Sequence, residues 1–576
     1  MDLFWYLAGF VVVLVQQITP IKDLFTAFLF LVFIIISLGL AAVQLMPTLE
    51  LSRQAARVPH DYNYLVNKLL IQPKQFLMIA VPDFFGNPAT GSYRLGDTYP
   101  GKVTYVGLVP LIFALWSLVK IRKNRNLWFW SAGTLFLISL LISCPLSRLF
   151  YLVKLPIVSS ASPGNAIFLF SFCLSILAGW GIEGWLADKS RKKYLLPVVL
   201  GGFFIILLIG LVLYRRFNPD FAIYFNSSFK NLLYSMLVLV FFVVGSVFCR
   251  KTKFKTLAVV FLLVLTIADL FYFHRKFNSF VPGETVYPDA PVFNWLKENA
   301  WENRFWGYGS AATEANFNVV SRIYSPEGYD PLYPKRYGEF LYSAQDGKLL
   351  PDFSRATRSD ATVFQSFGAE YFVNNLYRSK VLSMLGVKYI LDRTENGSDE
   401  RTFPPGDYRL VWEEDGWRIF ENLKALPRFF LADDYQLIRD KNDFENLFFS
   451  PNFDARQTLL LEEEPSTKPA RATQKNVEVE EYSGNKVILK TQADSDQLLF
   501  VSDTYFPGWQ ATIDGQATKI LRGNWTFRVL SVPKGEHRIT MQYLPASFFW
   551  GARISIVSLI LLFILAKLWP GKLPLS

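Results

Sequence analysis

Five charged side chains, placed between two apolar stretches, could do chemistry in this sequence. The carboxylates of Glu50, Asp83 and Asp97 could take a proton from a hydroxyl or help hold a divalent metal. The guanidiniums of Arg53 and Arg57 could grip a phosphate. Glu50 lies just past an apolar stretch, Asp83 sits in a Pro-Asp-Phe-Phe-Gly turn, and Asp97 lies just ahead of the next stretch. The plainer reading of the same residues is charge at solvated helix ends and an Asp that satisfies a turn. Farther along, Tyr505, Trp509 and Trp525 offer aromatic faces that could stack on sugar rings, with core packing as the plainer role. His60, His274 and His537 stand far apart, and Cys144, Cys173 and Cys249 form no cluster, so no metal-ligand spacing is present. Neither is a phosphate-cradling glycine loop or a nucleophile elbow. No cofactor is evident, and a divalent metal is the one left open.

The elements that must position these groups follow from composition. The 576 residues are 51% hydrophobic and 19% charged. That is too apolar for an average soluble chain and too charged for a pure membrane bundle, so two zones are expected. Apolar stretches long enough to span, or nearly so, cover 24–45, 103–118, 127–143, 166–185, 195–214, 232–249, 257–273 and 547–566, preceded by a shorter run at 3–16. Trp128, Trp130, Trp180, Trp185, Tyr272 and Trp550 stand near stretch ends, where amphipathic rings favour the headgroup level. The net charge of +11 does not point to nucleic acid, because the basic residues cluster in short loops between apolar stretches.

Three such loops set the topology. They carry Lys120, Arg122, Lys123 and Arg125; Lys189, Arg191, Lys192 and Lys193; and Arg250, Lys251, Lys253 and Lys255. The positive-inside rule puts all three in the cytoplasm, and 46–102, 144–165 and 275–546 then face outward. Arg215, Arg216 and Lys230 object, with only Asp220 to balance them on the outer side. Glu183, Asp269 and Arg553 fall close to span ends, and Asp269 is expected to pair with Arg553 and dock the last helix. No ionisable residue lies mid-span, which argues against an ion-coupled transporter.

The expected fold is a polytopic α-helical membrane protein with a large extracytoplasmic α+β domain ending in a β-sandwich. Its divisions are a multi-helix membrane region at 1–274, a mixed region at 275–464, a linker at 465–473, a sandwich at 474–546, and a final helix with its tail at 547–576. Short alternating runs at 477–482, 486–491, 497–502, 510–513, 518–521, 526–532 and 537–543 predict the sandwich strands. Asp514-Gly515 predicts a tight hairpin, and Pro326-Glu327-Gly328 a turn.

Several motifs together resemble the YfhO-type family of bacterial membrane proteins. They include Gln44-Leu45-Met46-Pro47-Thr48-Leu49-Glu50-Leu51, Pro82-Asp83-Phe84-Phe85-Gly86, Tyr105-Val106-Gly107-Leu108, Leu426-Pro427-Arg428, Tyr505-Phe506-Pro507-Gly508-Trp509, Phe527-Arg528, and Tyr543-Leu544-Pro545-Ala546-Ser547-Phe548 with Gly551. The resemblance implies a relative of the GT-C membrane glycosyltransferases. It implies a polyprenyl-phosphate sugar donor, membrane lipids as surroundings, and a cell-surface polymer such as lipoteichoic acid as acceptor. It places the catalytic acid in a first outward loop, which has no counterpart here, so Met1 is expected to lie inside a longer design. The loop at 46–102 is then the place for the acid, with Glu50, Asp83 and Asp97 as candidates, Arg53 and Arg57 for the phosphate, and Trp509 and Trp525 for sugar. The alternative is a non-catalytic binding or assembly protein, or a fragment without its catalytic loop. A bacterial cell membrane location, multi-pass, is common to both.

Overall fold

The computed structural model describes residues 24–57, 59–119, 124–153, 160–188, 190–248, 255–278, 280–287, 290–313, 316–350, 360–363 and 375–568. The apolar run at 3–16 and most of the residues in two of the three basic loops lie outside them. The long helices are α1 (Leu24–Leu40), α2 (Ala42–Gln54), α3 (Leu108–Ser117), α4 (Arg125–Leu141), α5 (Ile167–Ala187), α6 (Leu195–Phe217), α7 (Ala222–Phe248), α8 (Lys255–His274) and α9 (Ala546–Leu568). Two compact units result, one of Met1–Arg57 with Pro288–Ser576 and one of Val58–Tyr287. The grouping does not follow chain order. Residues before Val58 belong with the sheet-rich region and the last helix, rather than with the other helices of the expected 1–274 region.

Among the described residues five helices are long and apolar enough to cross a membrane: Pro163–Ala187, Arg191–Phe217, Pro219–Phe248, Thr256–His274 and Ala546–Lys567. The bent pair Leu31–Leu40 and Ala42–Gln54 makes a sixth if it counts as one span. The stretches at 103–118 and 127–143, expected to span, form shorter helices. At 1.5 Å per residue, α3 reaches only about 15 Å, half of a hydrocarbon core of about 30 Å. Its first expected turn is extended instead, because Asp269 on α8 accepts the Leu108 amide at 3.1 Å and the Tyr105 hydroxyl at 2.6 Å. Asp269 also accepts the Tyr234 hydroxyl at 3.0 Å, while Arg553 lies over the Trp550 ring. A local cage of phenols and an amide thus satisfies the buried Asp269 carboxylate within its own unit.

In the first unit α1 and α2 meet at a 71° bend. A helix break in apolar surroundings frees backbone groups that need new partners. Ser555 on α9 supplies them: its hydroxyl reaches the Leu40 and Gly39 carbonyls at 2.9 and 3.1 Å and accepts the Val43 amide at 3.0 Å. Two glycines allow this approach. A Cβ at Gly39 would stand 2.0 Å from the Ser558 hydroxyl, and one at Gly551 would stand 2.5 Å from the Ala42 carbonyl.

Among the described residues the strands of three residues or more are β1 (Arg304–Gly307), β2 (Val387–Arg393), β3 (Tyr408–Glu414), β4 (Trp417–Asn422), β5 (Phe429–Ala432), β6 (Asp434–Leu437), β7 (Thr458–Leu461), β8 (Lys475–Tyr482), β9 (Lys486–Ala493), β10 (Gln497–Thr504), β11 (Trp509–Ile513), β12 (Gln516–Thr518), β13 (Leu521–Gly523), β14 (Phe527–Val532) and β15 (Gly535–Tyr543). A four-stranded sheet runs β1-β2-β4-β3. The sandwich pairs a five-stranded sheet, β8-β9-β15-β11-β12, with a six-stranded one, β5-β10-β14-β13-β7-β6. Asp514 and Gly515 both take positive φ, as a two-residue hairpin requires. The expected strand at 518–521 is instead divided: Thr518 ends β12, Leu521 begins β13, and the two residues between them form the link.

The sandwich draws in β5, β6 and β7 from upstream of 474, so 465–473 joins two parts of one body rather than two domains. The physical reason is visible in β10 and β14, which are buried along nearly their whole length. Leu499, Val501 and Leu530 face the sandwich interior. Leu498, Phe500, Phe527 and Val529 face the other way, into a second core with Phe340, Phe444 and Val381. A sheet apolar on both faces must be covered on both.

That second core holds a titratable group. The Glu327 carboxylate accepts the Trp306 indole N–H at 3.1 Å and the Val363 amide at 2.8 Å, and burial pushes its pKa up to about 7. The folded state therefore keeps this proton at pH values where the unfolded chain has lost it. Stability falls as pH rises from about 4.5 to about 7. The melting temperature is expected to drop between pH 5 and pH 8, and Glu327→Gln, which keeps the acceptor oxygen, to flatten that slope. An identical slope in the variant would assign the pH dependence elsewhere.

Candidate functional site

The expected acids fall into two settings. In the unit Val58–Tyr287, Asp83 has φ +55 and is 2% exposed. It accepts Tyr99 at 2.6 Å, Asn87 at 3.0 Å and Lys276 at 2.7 Å. Burial, reinforced by the charge of Asp83, holds the Tyr99 phenol far above its usual pKa, so it stays a donor. Asp97 is bonded by Lys102 and Tyr93 and, at 2.8 Å, by Gln75. Burial alone would raise the Asp97 pKa, but these three donors outweigh it and hold the carboxyl below its usual range. Both carboxylates are spent on fixed partners. They tie the loop between residues 72 and 102 together.

Glu50 is different. It sits near the C-terminal end of α2 and is bonded by the hydroxyl of Ser547, at the start of α9. It enters no ion pair found among the described residues. Burial and then the charge of Glu50 raise the Tyr543 phenol, which places the carboxylate beside the last strand, β15. Arg53 is exposed in the last turn of α2, and Arg57 follows it, half-buried.

The two tryptophans part ways. Trp525 is 6% exposed; its indole N–H bonds Glu339 at 3.1 Å, its ring packs on Phe444, and Arg336 lies 4.4 Å from its centroid. The ring is core, with no face left for a sugar. Trp509 is half-buried against Tyr543, with the Arg528 guanidinium 3.7 Å from its centroid.

Behind Trp509 lies a charge cluster that the sequence did not announce as a site. Asp503 accepts Arg304 at 3.0 Å and Arg428 at 2.9 Å, and Tyr482 donates to it at 3.2 Å. Arg304 also reaches the Ser502 carbonyl at 2.8 Å and the Leu385 carbonyl at 2.7 Å. Burial would raise the Asp503 pKa, but the charges of Arg428, Arg304 and Arg528 hold it below the usual carboxylate range. A cavity of about 260 Å³ opens on this cluster, lined by Arg304, Tyr337, Tyr482, Asp503, Trp509 and Arg528 among others. One signal was present in the sequence: Arg528 interrupts an otherwise uncharged strand, Phe527–Val532.

Among the described residues no three His, Cys, Asp or Glu side chains gather to hold an ion, and Glu50 has no second carboxylate bonded to its partners.

Apolar helices of spanning length together with a β-sandwich leading directly into the last of them define a membrane protein with a sheet-rich domain. Residues 458–555, which cover the sandwich from β7 onward and the start of α9, match the family described as bacterial membrane protein YfhO. A Bacillus subtilis (strain 168) protein, Uncharacterized protein YfhO, is 27% identical over 125 residues, which is 21% of this chain and 14% of that relative. No solved structure matches. Over these residues the chain is similar to YfhO-type bacterial membrane proteins, and it spans only a small part of that relative's length.

Proposed function

We propose that this chain is a glycosyltransferase-like protein that works at the outer membrane surface, moving a sugar from a polyprenyl-phosphate donor to a cell-surface glycopolymer such as lipoteichoic acid. The observation that carries this reading is Glu50. Of the three candidate acids it alone has no lysine or arginine bonded to it among the described residues, and it stands where α2 and the start of α9 meet. Its carboxylate takes the proton of the acceptor hydroxyl as that oxygen bonds to the anomeric carbon. The bond from that carbon to the lipid phosphate breaks, and the phosphate leaves with its electron pair. Asp83 and Asp97 have structural roles in this reading.

The test is complementation of a strain lacking the gene. Glu50→Gln keeps the Ser547 hydrogen bond and removes the base. It is expected to lower sugar incorporation by about 10²- to 10⁴-fold at equal membrane abundance. Full incorporation by that variant would remove Glu50, and with it the catalytic reading. The second reading, a non-catalytic binding subunit, is favoured by the fixed partners of Asp83 and Asp97, and it is the one that then remains.

A further inference from the structure

The cavity beside Trp509 carries more positive charge than the fold uses. Arg304, Arg428 and Arg528 surround one hydrogen-bonded carboxylate, Asp503. Glu302, whose backbone carbonyl accepts Arg428 at 2.8 Å, is the other carboxylate near the cluster, and counting it still leaves three guanidiniums against two carboxylates. Arg304 has both terminal nitrogens engaged by Leu385, Ser502 and Asp503, and Arg428 has both of its own engaged by Glu302, Tyr482 and Asp503, leaving its Nε buried with no hydrogen-bond partner among the described residues.

Arg528 differs at a terminal nitrogen. It is 5% exposed, its Nε donates to the Thr504 carbonyl at 3.0 Å, and its Nη1 is buried with no hydrogen-bond partner among the described residues. A buried guanidinium N–H left without an acceptor is costly. This one lines the cavity and is held flat by the Trp509 ring.

We propose that this cavity is a binding site for a phosphate group, with Arg528 as its principal donor and the rings of Trp509 and Tyr482 flanking it. A guanidinium fork matches phosphate oxygens in bidentate fashion, and the excess charge of the cluster suits a phosphate better than a neutral sugar. The volume, roughly nine waters' worth, suits a small group such as a phosphorylated glycerol or a headgroup, not a polymer. Its place in the fold allows two sources. Trp509 pairs with Tyr543, three residues before α9 begins at Ala546, so the cavity stands about 10 Å from the helix that enters the membrane. A soluble phosphate ester and a phospholipid headgroup carry the same chemistry to that point. The assignment holds whether or not the chain transfers a sugar.

The test uses the full chain in dodecyl maltoside micelles, which contain no phosphate. One arm titrates sn-glycerol 3-phosphate; the other titrates phosphatidylglycerol in mixed micelles; melting temperature and native mass give affinity and stoichiometry. One arm or both is expected to saturate at one molecule per chain, and the arm that does names the source. Arg528→Gln is expected to weaken binding about tenfold or more. Ser483→Asp, an exposed change at the cavity lining, is expected to do the same without touching the buried cluster, so a folding defect in the first variant does not decide the outcome. Glu50→Gln is expected to bind as the wild type does, which separates this site from the transfer reading. Saturation of neither probe, or wild-type affinity in Ser483→Asp, overturns the proposal.

Discussion

Asp503→Asn is expected to destabilise the sheet-rich unit by about 3–5 kcal/mol, although the side chain changes by a single atom type. Asp503 is the shared acceptor of Arg304 and Arg428, and all three groups are largely withdrawn from water. Two charges taken out of water are tolerable when a third of opposite sign lies between them at hydrogen-bond distance. The amide has no charge to return, and its NH₂ group adds a donor where only acceptors fit. The two guanidiniums then repel each other in a medium that screens them poorly. The midpoint of denaturant unfolding, followed by the sheet signal in circular dichroism, measures the effect. A double change, Asp503→Asn with Arg304→Gln, is expected to recover part of the loss, because one of the surplus charges is gone. A single variant as stable as the wild type would mean that the cluster is solvated and its charges uncoupled.

Gly551→Leu is expected to cost about 3 kcal/mol or more by prising α9 from α2. A side chain at 551 begins with a Cβ only 2.5 Å from the Ala42 carbonyl oxygen and 2.9 Å from the Val43 Cα. Backbone cannot move aside as a side-chain tip can. The helices must separate, and the Ser555 hydroxyl then withdraws from the Gly39 and Leu40 carbonyls and the Val43 amide together. Overpacking and lost backbone partners thus fall on one substitution. Gly202→Leu is the control, since nothing stands within 4 Å of a Cβ at that exposed position on α6. The melting temperature in detergent is expected to fall sharply for the first and barely for the second. Equal shifts would show that leucine in a helix, rather than this contact, is responsible.

The candidate acids show where reading a sequence for sites has its limit. Glu50, Asp83 and Asp97 look alike on the page, each a carboxylate near an apolar stretch. Their difference is made by Lys276, which lies 193 residues from Asp83, and by Ser547, which lies 497 residues from Glu50. No local spacing encodes such partners. Trp509 and Trp525 tell the same story, since the ring of one borders a cavity and the other is sealed beneath Arg336 and beside Phe444. Arg528 could have been singled out, because a charge inside a buried strand asks for an explanation. Its surroundings could not.

The amino-acid sequence by itself determined the apolar helices of spanning length, most strands of the sandwich and the Asp514-Gly515 hairpin. These depend on hydrophobic runs, period-two alternation and the backbone freedom of glycine, all of which act over a few residues. The tertiary structure alone decided that α1 bends from α2, that α3 stops at ten residues, and that upstream strands complete the sandwich. It alone decided that three arginines gather on one aspartate. Each of these is set by a group distant in the chain that supplies a hydrogen bond, a charge or a covering face, and a buried polar atom takes whichever partner the fold delivers.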